Sequence, residues 1–285
     1  MSAFASWIGR AQSASDTLDE ARAARWLATF DLSAHMGEAM PQGIHFCLCT
    51  PDAPTAQLGK DGHPARDTSE ASFLPPFPMP RRMWASSRIA FHAPIAVGAA
   101  ISRLSTVASV SEKSGSSGRL AFVDIEHRTQ ADGALAVSEM QTLVYRDVAA
   151  ADAPLVPPQP GADAFDPSRW EAHRQILPDP RLLFRFSALT FNTHRIHYDA
   201  HYAREVERYR GLVVHGPLTA SLLLQLAAGE LGDNALTSFA FRGLSPAICG
   251  EALHLVMRKT GEGSEFELGA FASDGRHVMS AKAAI

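Results

Sequence analysis

"GPLTASLLLQLAAGEL", Gly216 to Leu231, is apolar on nearly every side until Glu230, and it opens with Pro217 at the first helical position behind Gly216. A helix without a polar face belongs inside a protein. Something must wrap it, and the sequence that follows supplies the wrapping. A short strand begins at Phe239, and three alternating stretches follow at 251–260, 265–272 and 277–284, divided by the turn signals "GEGS" and "SDG". This half of the chain reads as one buried helix inside a curved antiparallel meander.

The same plan occurs once before. "IAFHAPIAVGAAISRLSTV" from Ile89 lies over "FAFRGLSPAICGEALHLVM" from Phe239: an aromatic strand, Phe91 or Phe241, then a proline followed four residues later by glycine, Pro94 with Gly98 and Pro246 with Gly250. Alternating stretches at 100–112, 119–130 and 135–146 follow, separated by "KSGSSG" and "ADG". The expected class is α+β, a tandem hotdog. The expected domains are 1–150, a degenerate first copy with a long loop insertion, and 169–285, joined by a Pro- and Ala-rich linker over 151–168. In the first copy an amphipathic helix is expected near 17–30, with Thr17 and Glu20 as a capping box. The counterpart of the buried helix shrinks to "GIHFCLC", 43–49. Residues 50–82 form a long irregular excursion of the kind that serves as lid or binding loop.

Bulk composition narrows the function. The 285 residues carry a net charge of −4, with no basic surplus for nucleic acid or an anionic membrane. No apolar run approaches the ~20 residues of a membrane helix. The N-terminus "MSAFASWIGR" lacks the hydrophobic core of a cleavable leader, and the three cysteines, Cys47, Cys49 and Cys249, form an odd set, so a reducing cytoplasm is expected. Cys47 and Cys49 near His45 and His63 are read as reduced thiols rather than metal ligands, and no cofactor or metal is expected.

Chemistry concentrates in "FNTHRIHYD", 191–199. Phe184 to Phe191 reads as a strand, 192–198 as a turn, and 200–208 as a short helix capped by Asp199. His197 then stands where loop meets helix and can face a cleft. "VVHG" delivers Gly216 to the start of the buried helix, whose first N–H groups have no internal partner and mark the positive end of its dipole. An oxygen gaining negative charge is stabilised there, and an imidazole nearby can move the proton.

These residues resemble the MaoC-like family of (R)-specific enoyl-CoA hydratases and dehydratases, whose signature Asp-x-Asn-Pro-hydrophobic-His-x-Asp is followed about seventeen residues on by His-Gly. Ile196, His197 and Asp199 match the end of that signature, and His215 with Gly216 match the pair. Asn192 stands where the family carries its catalytic Asp, His194 replaces the Asn and Arg195 the Pro. With "HFCLCTPDAP", "LGKDGHP", "FLPPFPMPRRMWA" and "VYRD" in the first half, the chain is similar to the two-domain mesaconyl-C4-CoA or itaconyl-CoA hydratase branch, which also resembles the mitochondrial 3-hydroxyacyl-thioester dehydratases.

The resemblance implies a hydro-lyase acting on an acyl-CoA. His197 is the implied acid or base, Asn192 an orienter of water or an Asx turn that shapes the loop, and Gly216 an oxyanion donor or a packing glycine. Asp199, His215 and His194 are supporting residues. Arg195, Arg242, Arg185 and Arg82 are candidates for a substrate carboxylate or the CoA phosphates, or are solvated charge. Rival readings are a dehydratase of longer 3-hydroxyacyl thioesters, a hotdog thioesterase and a non-catalytic acyl-CoA binder. A homodimer is compatible with the fold.

Overall fold

The computed structural model describes residues 4–32, 39–115, 118–162 and 164–285. Ser116 and Ser117 of the expected "KSGSSG" turn and Asp163 of the expected linker lie outside them. The first half contains β1 (Ala11–Thr17), α1 (Glu20–Thr29), β2 (Ala39–Met40), β3 (Arg81–Phe91), β4 (Ile95–Ala96), β5 (Ala100–Gly115), β6 (Gly118–Ala131) and β7 (Ala134–Arg146). The second contains β8 (Ala172–Ile176), α2 (Pro180–Leu189), α3 (Ala200–Glu205), α4 (Gly216–Leu231), β9 (Ser238–Gly243), β10 (Leu253–Lys259), β11 (Glu265–Ala272) and β12 (His277–Ala284).

Ten strands form one sheet in the order β1-β5-β6-β7-β3-β9-β12-β11-β10-β8, and β2 pairs with β4 separately. The order is a palindrome of two equivalent halves. Each has an edge strand, a helix, an inner strand and a three-stranded meander. They meet where β3 and β9 run antiparallel, with Ser87 opposite Phe241 and Ile89 opposite Phe239. Joining there leaves neither inner edge open to a stray strand.

The difference between the halves is the helix. In the second half α4 buries every residue from Leu218 to Ala227, and each fully buried leucine contributes about 1.5–3 kcal/mol. In the first half the equivalent segment is a single 3-10 turn, Ile44–Cys47. It lies alongside α4, close enough that a Cβ on Gly43 would meet Leu224 Cδ1 at 3.3 Å.

Two local expectations are corrected, and two strands are added. Phe184 to Phe191 is not a strand, because Asp179 accepts from Leu182 N–H and Pro180 opens a helix there. The cap of α1 is Asp19, which accepts from Arg22 N–H at 2.7 Å, while Thr17 ends β1. Edge strands β1 and β8, "AQSASDT" and "AHRQI", carry too little apolar alternation to be read from sequence. Among the described residues no helix is long and apolar enough to cross a membrane.

Candidate active site

Helix α4 begins with His215 as its N-cap, and no side chain caps it. Thr219 N–H makes the first backbone bond, to His215 O at 3.1 Å, so the N–H groups before it have no partner within the helix. Pro217 has no N–H to offer, which leaves Gly216 and Leu218 as the donors at the positive end of the dipole.

His197 is placed against that end. It closes the 3-10 turn Arg195–His197, is buried, and its Nδ1 lies 2.7 Å from Val213 O. A carbonyl can only accept, so Nδ1 carries the hydrogen and Nε2 keeps its lone pair. Burial pulls the imidazole down to about 4, with the Val213 hydrogen bond working the other way. The ring stacks on His215 with centroids 3.5 Å apart. His215 Nε2 is 2.9 Å from Ser187 Oγ, its Nδ1 is buried without a partner, and burial holds it well below the usual histidine range. His194 meets His197 edge to face at 5.5 Å and is pulled by burial to about 2. All three rings are therefore neutral at pH 7.

Asn192 Oδ1 accepts from His194 N–H at 2.9 Å, which makes an Asx turn and leaves the amide NH2 as the group free for a ligand. Asp199 caps α3 through Tyr202 N–H and holds Arg195 at 2.7 Å. The Tyr202 N–H and the Arg195 guanidinium keep its carboxyl below the ordinary range.

The excursion of the first half reaches this site. Lys60 O accepts from Arg195 Nη1, Asp61 O from Arg195 N–H and Gly62 O from Thr193 Oγ1. Asp61 Oδ2 is 3.1 Å from His63 Nδ1, and the His63 ring lies 4.1 Å from His194. Burial pushes the Asp61 carboxyl up, but the hydrogen bond and charge of His63 outweigh that and leave it at about 2. Donor atoms of Asp61, His63 and His194 fall within 4.8 Å of one another, a grouping able to hold a metal ion.

Gly62 is what lets the two segments meet. Its φ is +89°, and a Cβ there would stand 1.9 Å from Thr193 O. Left-handed strain alone is worth ~1–2 kcal/mol, so Gly62→Ala should displace the loop, lower Tm by about 2–4 °C per kcal/mol lost, and reduce turnover. An unchanged melting curve and rate would show that the loop is not seated on Thr193.

A cavity of about 1060 Å³ joins these groups, lined by both halves. His197, His215, Asn192, His194, Gly216 and Arg82 are on its wall. Of the four arginines expected to bind substrate, three stand elsewhere. Arg185 donates to Ala28 O, Arg195 is spent on Asp199 and Lys60, and Arg242 is exposed on β9 away from the wall. Cys47 is buried, with its thiol pushed up by burial to about 12, and all three cysteines are free. Sequence reading missed Asp61, because nothing local says that "GKDGHP" docks on residues 193–195. It also missed Arg103, a charge on the inward face of a strand, for which the β-alternation of "ISRLSTV" was the available signal.

Residues 43–249 match the family model described as hydroxyacyl-thioester dehydratase type 2. Mesaconyl-C(4)-CoA hydratase of Chloroflexus aurantiacus is 40% identical over 278 residues, 96% of this chain and 95% of that protein. HtdX of Mycobacterium tuberculosis superposes with a TM-score of 0.67 at 18% identity, covering 96% and 99% of the two chains. Another M. tuberculosis protein, described as a double hotdog, does so at 0.59 and 16%, covering 97% and 96%. The fold is thus a tandem hotdog of the α+β class. A match at 40% identity over nearly the whole of both chains, with a family model covering residues 43–249, shows that the chain belongs to the hydroxyacyl-thioester dehydratase type 2 family of hydro-lyases.

Proposed function

We propose that this chain is a cytoplasmic enzyme that reversibly adds water across the double bond of a short enoyl-CoA, with mesaconyl-C4-CoA as the first substrate to test and itaconyl-CoA as the second. The observation that carries the reading is a neutral imidazole with a free Nε2 beside the uncapped start of a buried helix, both on one cavity wall. Kinship with a mesaconyl-C(4)-CoA hydratase supports the choice of acyl group.

The chemistry follows from the placement. His197 Nε2 takes a proton from water as the oxygen bonds to C3. The electron pair of the double bond moves through C2 to the thioester oxygen, where the α4 N–H groups, Gly216 first, stabilise the enolate. The imidazolium then returns its proton to C2, so that one water is added and nothing else changes. Asn192 presents its NH2 to the oxygen of water or thioester. His215 supports the His197 ring by stacking, and His194 is fixed by the turn of Asn192. No step routes an electron pair through a metal.

Loss of enoyl-thioester absorbance tests both parts. Mesaconyl-C4-CoA should be consumed at the highest kcat/KM in a panel of branched and linear enoyl-CoAs, and the rate should survive dialysis against a chelator. Preference for long unbranched chains would replace the reading with a fatty-acid-type dehydratase. Release of free CoA would replace it with a thioesterase. Loss of rate on chelation would assign a working cation to Asp61, His63 and His194.

A further inference from the structure

The inner face of the first-half sheet has an unusual composition. Where α4 covers the second half, this face meets the short Ile44–Cys47 turn and the shared cavity. At one end it is apolar, with Val123, Leu143 and Tyr145, and at the other it is apolar again, with Ile101 and Val137. Between them a polar belt crosses four strands. Arg103 on β5 is opposite Thr129, Ser105 is opposite His127 on β6, His127 is opposite Glu139 on β7, and Ser87 on β3 is opposite Gln141. Arg103, Ser105, His127, Glu139 and Gln141 of this belt line the cavity, so a sheet face that should be core turns polar there.

The belt carries one guanidinium outside any ion pair among the described residues. Arg103 gives Nε to Thr129 Oγ1 at 3.1 Å and Nη2 to His45 O at 2.8 Å, both neutral acceptors, and among the described residues it is in no ion pair. Glu139 makes no ion pair with it: its carboxyl accepts from Ser87 Oγ, and burial pushes it up although Ser87 and the Arg103 charge pull the other way. Burial, with Arg103 adding to it, pulls His45 down to about 3 and His127 to about 4, so both rings are neutral. His127 Nε2 lies 3.3 Å from Gln141 Oε1, which leaves the Gln141 NH2 available. His45, 2% exposed, has a buried Nε2 with no protein partner although the residue lines the cavity. A guanidinium bonded only to neutral acceptors, an amide NH2 and an unpartnered ring nitrogen around one cavity make a receptor for an anion.

We propose that Arg103, with Gln141 and His45, receives the free carboxylate of the acyl group, so that the enzyme selects mono-CoA thioesters of dicarboxylic acids over simple acyl-CoAs. This rests on the acyl-CoA reading above and adds the second acidic group to it. The carboxylate gives Arg103 the direct ion pair that its Thr129 and His45 acceptors do not, and the first half supplies specificity where the second supplies chemistry.

Saturated probes separate recognition from turnover. Succinyl-CoA and butyryl-CoA are both four-carbon thioesters, and neither has a double bond to hydrate. They differ in the terminal carboxylate. By calorimetry the wild-type protein should bind succinyl-CoA tighter by about 10- to 100-fold, the range expected for a charge-assisted hydrogen bond. Arg103→Met should collapse that ratio to near one, and Arg103→Lys should keep part of it. Melting curves report whether each variant folds. A ratio near one in the wild type, or a ratio that Arg103→Met leaves intact, overturns the proposal. Failure of the acyl-CoA reading looks different, since neither thioester would then bind.

Discussion

His197→Ala should lower kcat for enoyl-CoA hydration by about 100- to 10,000-fold, the span that a positioned acid or base contributes, while the circular dichroism spectrum stays that of the wild type. Of the three stacked or abutting rings this one has the geometry of a base. Its Nδ1 hydrogen is held by Val213 O, so the tautomer is fixed and Nε2 is the acceptor. His215 is engaged with Ser187 through Nε2, and its remaining nitrogen is buried. His197→Gln is the companion variant, because it fills the site yet offers an amide that cannot take up a proton. Both should be equally slow. A folded His197→Gln protein with near wild-type turnover would remove His197 from the reaction.

Stability should collapse in mild acid. Five rings, three buried and two half-buried, prefer to be neutral: His45 at about 3, His127 at about 4, His194 at about 2, His197 at about 4 and His215 well below 6.5. In the unfolded chain each returns to about 6.5. Their contribution is therefore fully present above about pH 6.5. It is lost as pH falls toward 4, because the unfolded chain then binds protons that the fold refuses. Each group contributes up to ~1.4 kcal/mol per pH unit. Glu139, raised by burial, works in the opposite direction, as one proton against five. On the order of 5–10 kcal/mol should be gone by pH 5, comparable to the whole stability of a typical domain. Urea midpoints measured from pH 7.5 to 5 read this directly, and a flat profile would mean that the rings are solvated rather than enclosed.

Much of this architecture could be read from the chain because apolar patterning is a local signal. The helix from Gly216 to Leu231 lacks a polar face, and both meanders alternate cleanly, so α4 and strands β5–β7 and β10–β12 stand where periodicity puts them. Helix α2 reads as a strand because Phe184, Phe186 and Ala188 alternate, whereas the Asp179 cap and Pro180 behind it start a helix. In the site, the spacing from His197 to His215 foretold two rings near one helix end, and they stack. The loop carrying Asp61 and His63 could not be placed, because its partners are some 130 residues away and the link is made by backbone groups with no signature in the sequence. Asn192 shows the limit of residue identity: the sequence left open what its amide touches, and Oδ1 proves to be committed to the turn.

The shrinking of the central helix to one 3-10 turn in the first copy has an evolutionary consequence. In an assembly of two identical subunits, any substitution appears in both, so a guanidinium placed on the inner sheet face would also fall beneath the helix of its twin and wreck that packing. Joining the two copies in one polypeptide, by the chain that runs from β7 to β8, breaks that constraint while the β3–β9 seam still pairs them. One copy can keep its oily interior while the other is free to diverge, and changes of substrate preference can accumulate there without disturbing the machinery that performs the reaction.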